Sequence, residues 1–520
     1  MAWSDFLLPP LDWQAFTPEL VVLLFALLAP IVALWDTDRK GMQQFTLFGL
    51  GGAFLMSLGS LLGWNFGIPG TGIHFTLEYI GRSPNAAFVV TEASQFLKLI
   101  FTGVAFLAVL GAGKVLPRRA DEDHGEFHSL VLFATLGMMI VASAQELITL
   151  LLGIEIASMS SYLLAGIRRD RAGAEAAVKY FTIGAVSSGM TLFGISLVYG
   201  ITGTTHIPTI GTMLEVGGQY DAVTLVTILM LLAALAFKIS SVPFHVWAPD
   251  VYQGAPSPVA GMLAAGSKAM GFAALFNVFL VGLIGVAADW QLTLAAVAVV
   301  TMFLGNLVAL RQDSLRRMLA YSSVAQAGYL LIAVVAAGAA AQAGTLATQG
   351  WYAVTGGLLH LLVNAGMKLG AFLIVGALIL VGVKDHIGNY KGLGRRAPLF
   401  AFAMTVFLLS MAGLPPLGGF TSKFVLFSSA VDVGVTQSLG WLLWLAVFAV
   451  LNSAISLFYY VRVIRTMYVE DAPGDKLHID SGARMAVIAC MVFVLLVGIY
   501  PSWFLDAARG AAASMLGFTP

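Results

Sequence analysis

The chain has 520 residues, 59% of them hydrophobic and only 10% charged, whereas a water-soluble globule carries roughly a quarter charged residues. Lys plus Arg and Asp plus Glu balance at 27 each, so there is no basic footprint for nucleic acid and no acidic tail. These figures describe an all-α polytopic membrane protein, and its single cysteine, Cys490, excludes a disulfide scaffold, a Cys-ligated iron–sulfur cluster or a CxxC redox pair within this chain.

The stretch from Met1 to Glu19 has no basic n-region, so the first apolar segment is expected to be a mature span and not a cleaved signal. A bilayer core about 30 Å thick takes windows of about 20 apolar residues. Fourteen occur, near residues 18–35, 45–64, 95–113, 127–143, 146–166, 177–200, 221–241, 257–283, 290–310, 316–337, 350–382, 398–430, 440–461 and 485–506. The seventh runs into Ser240, Ser241, Val242 and Pro243, and the twelfth holds Pro415, Pro416, Gly418 and Gly419 at its middle. Two interrupted helices at corresponding places in two halves point to an inverted-repeat transporter.

Arg and Lys mark the connections after the odd spans: Arg39 and Lys40; Lys114, Arg118 and Arg119; Arg168, Arg169 and Arg171; Arg311, Arg316 and Arg317; Lys384, Lys391, Arg395 and Arg396; Arg462, Arg465 and Lys476. The loop after span 7 is neutral, and the even connections offer little beyond Arg82 and the terminal Arg509. Basic loops face the cytoplasm, so both termini are expected outside, in the plasma membrane of a prokaryote. No loop is long enough for a catalytic domain; the longest, Asn65 to Ser94, lies outside.

All sixteen arginines fall in loops or at span ends, but Lys179, Lys238, Lys268, Lys368 and Lys423 fall within or just inside apolar runs. An ionised side chain at mid-bilayer costs at least about 2.5–3.5 kcal/mol on insertion scales. Arginine stays charged, whereas a buried lysine is able to release its proton near neutrality. Lysines without arginines therefore read as proton-exchange sites. Glu155 is the only carboxylate read as deep in a span and is the natural switch partner; the plainer alternative is a static ion pair that locks two helices. Lys238 precedes one break and Lys423 follows the other, where freed backbone groups line polar cavities. Lys268 sits mid-span in Ala264-Ala-Gly-Ser-Lys-Ala-Met-Gly, among small residues that permit close helix approach. Lys179 lies one turn inside its helix, as a snorkelling or a functional group, and Lys98 reads as a snorkelling anchor.

His360, Asn364 and Lys368 recur every four residues along one face of span 11. A histidine there either passes protons through water or bonds a neighbouring helix, and both readings stand. His245 lies beyond the first break, lining an access path or capping a helix end. The other histidines are assigned to loops without metal-ligand spacing, and no Walker, GxGxxG or HExxH pattern supports nucleotide or zinc chemistry.

Phe237-Lys-Ile-Ser-Ser-Val-Pro-Phe-His-Val-Trp-Ala-Pro-Asp-Val-Tyr-Gln-Gly-Ala-Pro-Ser-Pro-Val and Gly413-Leu-Pro-Pro-Leu-Gly-Gly-Phe-Thr-Ser-Lys-Phe resemble signatures of the antiporter-like membrane subunits of respiratory complex I, with similarity over nearly the whole chain. Gly266-Ser-Lys-Ala-Met-Gly-Phe, Glu175-Ala-Ala-Val-Lys-Tyr-Phe and a lysine at 423, where the M chain typically has glutamate, resemble the N chain (NADH dehydrogenase subunit 2) most. No long lateral C-terminal helix suggests the L chain. Lys368 departs from the usual N-chain pattern, which has an uncharged residue there.

The resemblance implies about 14 helices with two inverted five-helix repeats: residues 1–120 as an N-terminal three-helix segment, 121–285 and 286–470 as the repeats with broken helices 7 and 12, and 471–520 as helix 14. It implies Glu155 and Lys238 as a coupled pair, Lys268 as a central relay, Lys423 as a terminal exchange site and Lys179 as support. It further implies a proton-translocating subunit of an NADH:quinone or related donor:quinone oxidoreductase, with no cofactor in this chain and quinone, iron–sulfur clusters and flavin in others. Partners would be M-like, L-like, K-like and J-like chains and the lipid bilayer. The competing readings are a subunit of a sodium/proton (Mrp-type) antiporter and a structural scaffold without a proton path.

Overall fold

Polar side chains cap the start of several helices. Thr91 accepts from the Ser94 amide in a capping box, Glu146 from Thr149, Asp170 from Gly173, Ser314 from Arg317 and Asp480 from Gly482. Each satisfies a donor that the first helical turn leaves open. The computed structural model describes residues 16–35, 39–63, 65–67, 74–76, 87–113, 125–217, 222–470 and 475–518. The expected basic residues Arg82, Lys114, Arg118 and Arg119 lie outside these.

The helices are α1 Thr17–Trp35, α2 Arg39–Leu61, α3 Glu92–Gly111, α4 Gly125–Ser143, α5 Leu147–Ala165, α6 Arg171–Thr202, α7 Ile207–Gly217, α8 Ala222–Ile239, α9 Trp247–Gly254, α10 Ser257–Met262, α11 Lys268–Asn277, α12 Ala287–Leu310, α13 Leu315–Gln342, α14 Trp351–Leu380, α15 Leu393–Arg396, α16 Pro398–Ala412, α17 Gly418–Thr436, α18 Gly440–Tyr468, α19 Ser481–Ile499 and α20 Pro501–Leu516. Among the described residues thirteen helical stretches are long and apolar enough to cross a bilayer; one of them, Ser257–Gly282, joins α10 to α11 through a wider π turn and ends in another. The pair α16 and α17 makes the interrupted fourteenth, as the Pro415-Pro416 break implies.

Four features depart from expectation. Asn65–Gly67 (β1) pairs antiparallel with His74–Thr76 (β2) inside a segment read as loop. Helix α7 buries Ile207, Ile210 and Leu214, one face of a helix too short for a bilayer-length window. Helix α20 packs against α3 and α14 with Ala508, Ala511 and Ala512 buried. His128, assigned to a loop, is buried in the first turn of α4.

Helix α13 is the axis of the fold. Every residue from Met318 to Ala340 is buried apart from the half-buried Tyr321, and α9, α12, α14 and α17 pack around it. Small residues permit this closeness: a Cβ added to Gly305 would lie 2.6 Å from the Ala325 nitrogen.

Both breaks leave helix-end carbonyls that must find donors in an interior without bulk water. At the first, Ser240 adopts a left-handed φ of 58°, a conformation disfavoured for residues with a Cβ. The Trp247 indole then donates to the Phe237 carbonyl at 3.2 Å. At the second, Gly413 at φ 86° ends α16. Its last carbonyls are taken by side chains: Lys423 Nζ donates to Met411 O at 2.7 Å and Ser453 Oγ to Ala412 O at 2.8 Å.

Candidate functional site

Lys423 reaches back across the break that its own helix begins. Besides Met411 O it donates to Ser453 Oγ at 2.9 Å, and its ammonium lies 4.5 Å over the Tyr329 ring. A cation at a helix C-terminus is favoured by the aligned peptide dipoles, and the ring face adds attraction. Lys238 occupies the last turn of α8, also before a break, and donates to Ser158 Oγ on α5 at 2.7 Å.

Between the breaks, α13 collects the remaining buried amines. Lys268 on α11 donates to Ser323 O at 2.6 Å. Lys368 on α14 donates to Leu319 O at 3.0 Å and to Ser322 Oγ. One turn further, His360 Nε2 meets Gln326 Oε1 at 2.9 Å and its Nδ1 meets Ser422 Oγ at 2.9 Å. Gln326 Nε2 donates to Met411 O at 3.2 Å, the oxygen that Lys423 also uses. Lys268, Lys368, His360 and Lys423, borne on three helices, are thus tied to one side of a single central helix or to its partners.

The acceptors are carbonyl and hydroxyl oxygens; among the described residues no carboxylate forms an ion pair with Lys238, Lys268, Lys368 or Lys423. A carbonyl accepts from an ammonium and from a neutral amine alike, so the contacts persist whichever form is present. A carboxylate would bind the charged form selectively.

Glu155 and Lys238 are not in direct contact. Glu155 is half-buried on α5 and accepts from Ser188 Oγ at 2.5 Å, while Lys238 uses Ser158, three residues on along the same helix. Helix α11 meets Lys238 through Gly271, where an added Cβ would lie 3.2 Å from the Lys238 Cβ. Lys179 lies at the rim with its side chain 42% exposed, paired to Glu175 at 2.7 Å and Asp250 at 2.8 Å. Asp250, on the short helix α9 that is not among the spans, holds Arg317 as well, at 2.8 Å, so it joins α9 to α6 and α13. Burial favours its neutral acid, but Lys179 and then Arg317 outweigh that and hold its carboxyl below the ordinary aspartate range. His245 is buried in the first break with Nδ1 unpartnered.

Two expectations are corrected. Lys98 is no snorkelling anchor: its amine meets Glu19 at 2.8 Å and neither side chain is accessible. Glu155 is therefore not the only carboxylate inside; Glu19, in the first turn of α1, is the more deeply enclosed. Position along a helix gave their nearness to a span end, but the direction each side chain faces depends on packing.

Sequence reasoning passed over Ser158, Ser188, Ser322, Gln326, Ser422 and Ser453. A usable signal existed in α13, where Ser322, Gln326 and Tyr329 fall at i, i+4 and i+7, one face of an otherwise Ala-rich helix. The backbone acceptors Leu319 O, Ser323 O and Met411 O have no side-chain signature.

The family described as NADH:quinone oxidoreductase/Mrp antiporter, transmembrane, matches residues 144–451. F(420)H(2) dehydrogenase subunit N of Methanosarcina mazei is 43% identical over 459 residues, 85% of this chain and 88% of that protein. NADH-quinone oxidoreductase subunit N of Trichlorobacter lovleyi is 38% identical over 513 residues, covering 96% and 97%. Among solved structures, a chain of respiratory complex I from Thermus thermophilus with bound aureothin is similar at a TM-score of 0.74 and 29% identity, over 95% of this chain and 99% of that one.

Proposed function

Since the chain belongs to the NADH:quinone oxidoreductase/Mrp antiporter transmembrane family and, within it, to the subunit N group, we propose that it is the proton-translocating membrane subunit of a complex I-like donor:quinone oxidoreductase. The observation that carries this reading is the set of three buried amines, Lys268, Lys368 and Lys423, held by neutral oxygens on and around α13. Such a shell tolerates both protonation states, as a proton relay requires and a structural ion pair does not.

In this reading Glu155, half-buried at the surface of α5, faces a neighbouring membrane subunit. A carboxylate left in contact with lipid is expensive, so the adjoining chain supplies its polar surroundings. A charge movement there alters the field at Lys238, whose partner Ser158 lies one turn from Glu155 on α5, and Lys238 responds by exchanging its proton towards Lys268. Lys368 and His360 extend the row and Lys423 completes exchange with one aqueous side. Lys179 acts from the rim, through Asp250. Quinone, iron–sulfur clusters and flavin belong to partner subunits, and the assembly sits in a prokaryotic plasma membrane with the basic loops cytoplasmic.

The test is electron-transfer-driven proton uptake by vesicles containing purified complex with Lys238→Met. The amount of assembled complex stays unchanged and protons moved per electron fall sharply. An unaltered proton-to-electron ratio would overturn the reading, and sodium-dependent exchange persisting without electron donor or quinone would favour the antiporter alternative.

A further inference from the structure

The buried row contains one group with two distinct protonation sites, the His360 imidazole, and both of its nitrogens are engaged. From their partners we infer that Gln326 is a positioning residue: it keeps the His360 proton on Nε2 and so leaves the ring open to proton exchange only at Nδ1, on its Ser422 side. This rests on the reading that the row conducts protons.

Met411 O has no hydrogen to give, so the Gln326 carboxamide, 3.2 Å away, must turn its NH2 towards it. The amide oxygen then faces His360 Nε2 at 2.9 Å and is able only to accept. Nε2 therefore carries the hydrogen of the neutral ring, and Nδ1 presents its lone pair to Ser422 Oγ at 2.9 Å. The Ser422 hydroxyl donates to Nδ1 in that state. It has a second acceptor in Gly419 O at 3.3 Å, so it is able to turn from one to the other.

A proton reaching His360 adds at Nδ1. With Lys423, next to Ser422 on α17, as the donor, its side chain leaves Met411 O and Ser453 Oγ and its ammonium becomes the neutral amine, while Ser422 swings to Gly419 O and accepts from the new Nδ1–H. The Nε2–H bond is untouched. To pass a proton on towards Lys368 the imidazolium would have to release it from Nε2, but a carboxamide oxygen at neutral pH does not take it. The proton returns by Nδ1 until the Gln326 side chain leaves the ring. Gln326 thus separates the Lys423 end of the row from the Lys368 end, and its release joins them. His360, Gln326 and Ser422 are all buried, so bulk water does not bypass this junction.

The test reads the tautomer directly. The full chain, carrying 13C- and 15N-labelled histidine, is placed in lipid bilayers for solid-state NMR; it has eight histidines, and the signal lost in His360→Gln identifies the one of interest. Neutral His360 is expected as the Nε2–H form. Gln326→Met removes the acceptor, and the preference for that form is lost; Gln326→Asn is one methylene too short to span Met411 O and the ring and gives the same loss. Gln326→Glu, ionised, still accepts from Nε2 and restores it. An Nδ1–H ring in the unaltered chain, or an unchanged Nε2–H ring in both Gln326→Met and Gln326→Asn, overturns the assignment. If the tautomers change as expected but complex with His360→Gln pumps as well as the unaltered complex, the conduction reading fails at this residue and the junction with it, leaving only the assignment.

Discussion

Lys98 and Glu19 close a 2.8 Å ion pair in which neither side chain reaches solvent, and it joins α3 to the first turn of α1. The Lys98 amine also lies 5.4 Å from the centre of the Phe88 ring. Removing one member leaves the other charge enclosed and alone, at a cost of about 3–5 kcal/mol. Lys98→Met is therefore expected to lower the thermal stability and the assembled amount of the protein. The double variant Lys98→Met with Glu19→Leu restores most of both, because apolar groups of similar volume replace a buried pair without a stranded charge. A double variant no more stable than Lys98→Met would contradict this account.

Two adjacent serines on α13 should behave oppositely. Ser323 accepts from Lys268 through its backbone carbonyl, whereas Ser322 accepts from Lys368 through its side chain. Ser323→Ala leaves its amine contact in place and is expected to pump normally. Ser322→Ala deletes a hydrogen bond of about 1–2 kcal/mol, and a several-fold slower pumping rate follows if that energy appears in the barrier. Rates measured with a fluorescent pH probe in the same vesicles compare the two; equal rates would disprove the geometric distinction.

Gly419→Ala tests the second break. Its Cβ would fall 1.8 Å from the Ser410 carbonyl oxygen, a backbone atom that no rotamer change moves aside. The break must therefore open, and with it the approach of Lys423 to Met411 O. Loss of pumping with a marked fall in assembled complex is expected, whereas Gly440→Ala, where an added Cβ meets nothing within 4 Å, serves as the neutral control.

Asp250 gives a pH dependence with a defined sign. Its native value is depressed by Lys179 and Arg317, against the effect of burial, so its stabilisation is present above the unfolded aspartate value of about 3.9 and is lost as pH falls through the native one. The stability gap between the unaltered chain and Asp250→Asn should be constant from about pH 5 to 8 and close only below about pH 4. The group is one-third exposed, so the gap is small. Thermal melts across that range check it, and a gap that closes near neutrality would reassign the effect to another group.

The span pattern and both breaks were legible because a bilayer imposes a length, and because Pro and Gly interrupt a hydrogen-bond ladder wherever they stand. The buried lysines were legible for the same reason: Lys268 and Lys368 are charges in long apolar runs. Facing direction was not. Lys98 and Lys179 both lie near helix ends, but one turns inward to Glu19 and the other outward to Glu175 and Asp250. Only the packing of neighbouring helices decides between them. The partners of the amines were hidden for another reason, since Leu319, Ser323 and Met411 contribute peptide oxygens that any residue possesses. Helices α7 and α20 were missed because a window as long as a membrane averages a shorter helix with its surroundings.

Because α13 is enclosed by protein from Met318 to Ala340, apart from half-buried Tyr321, its polar face has the stiffness of a water-soluble protein's interior while lying at acyl-chain depth. A change of fatty-acid length or saturation presses first on the outer ring, on α1, α6, α18 and α19, whose surfaces are largely apolar and exposed. The row of buried amines is shielded from lipid composition, and remodelling of the membrane with temperature is expected to leave its spacing unchanged.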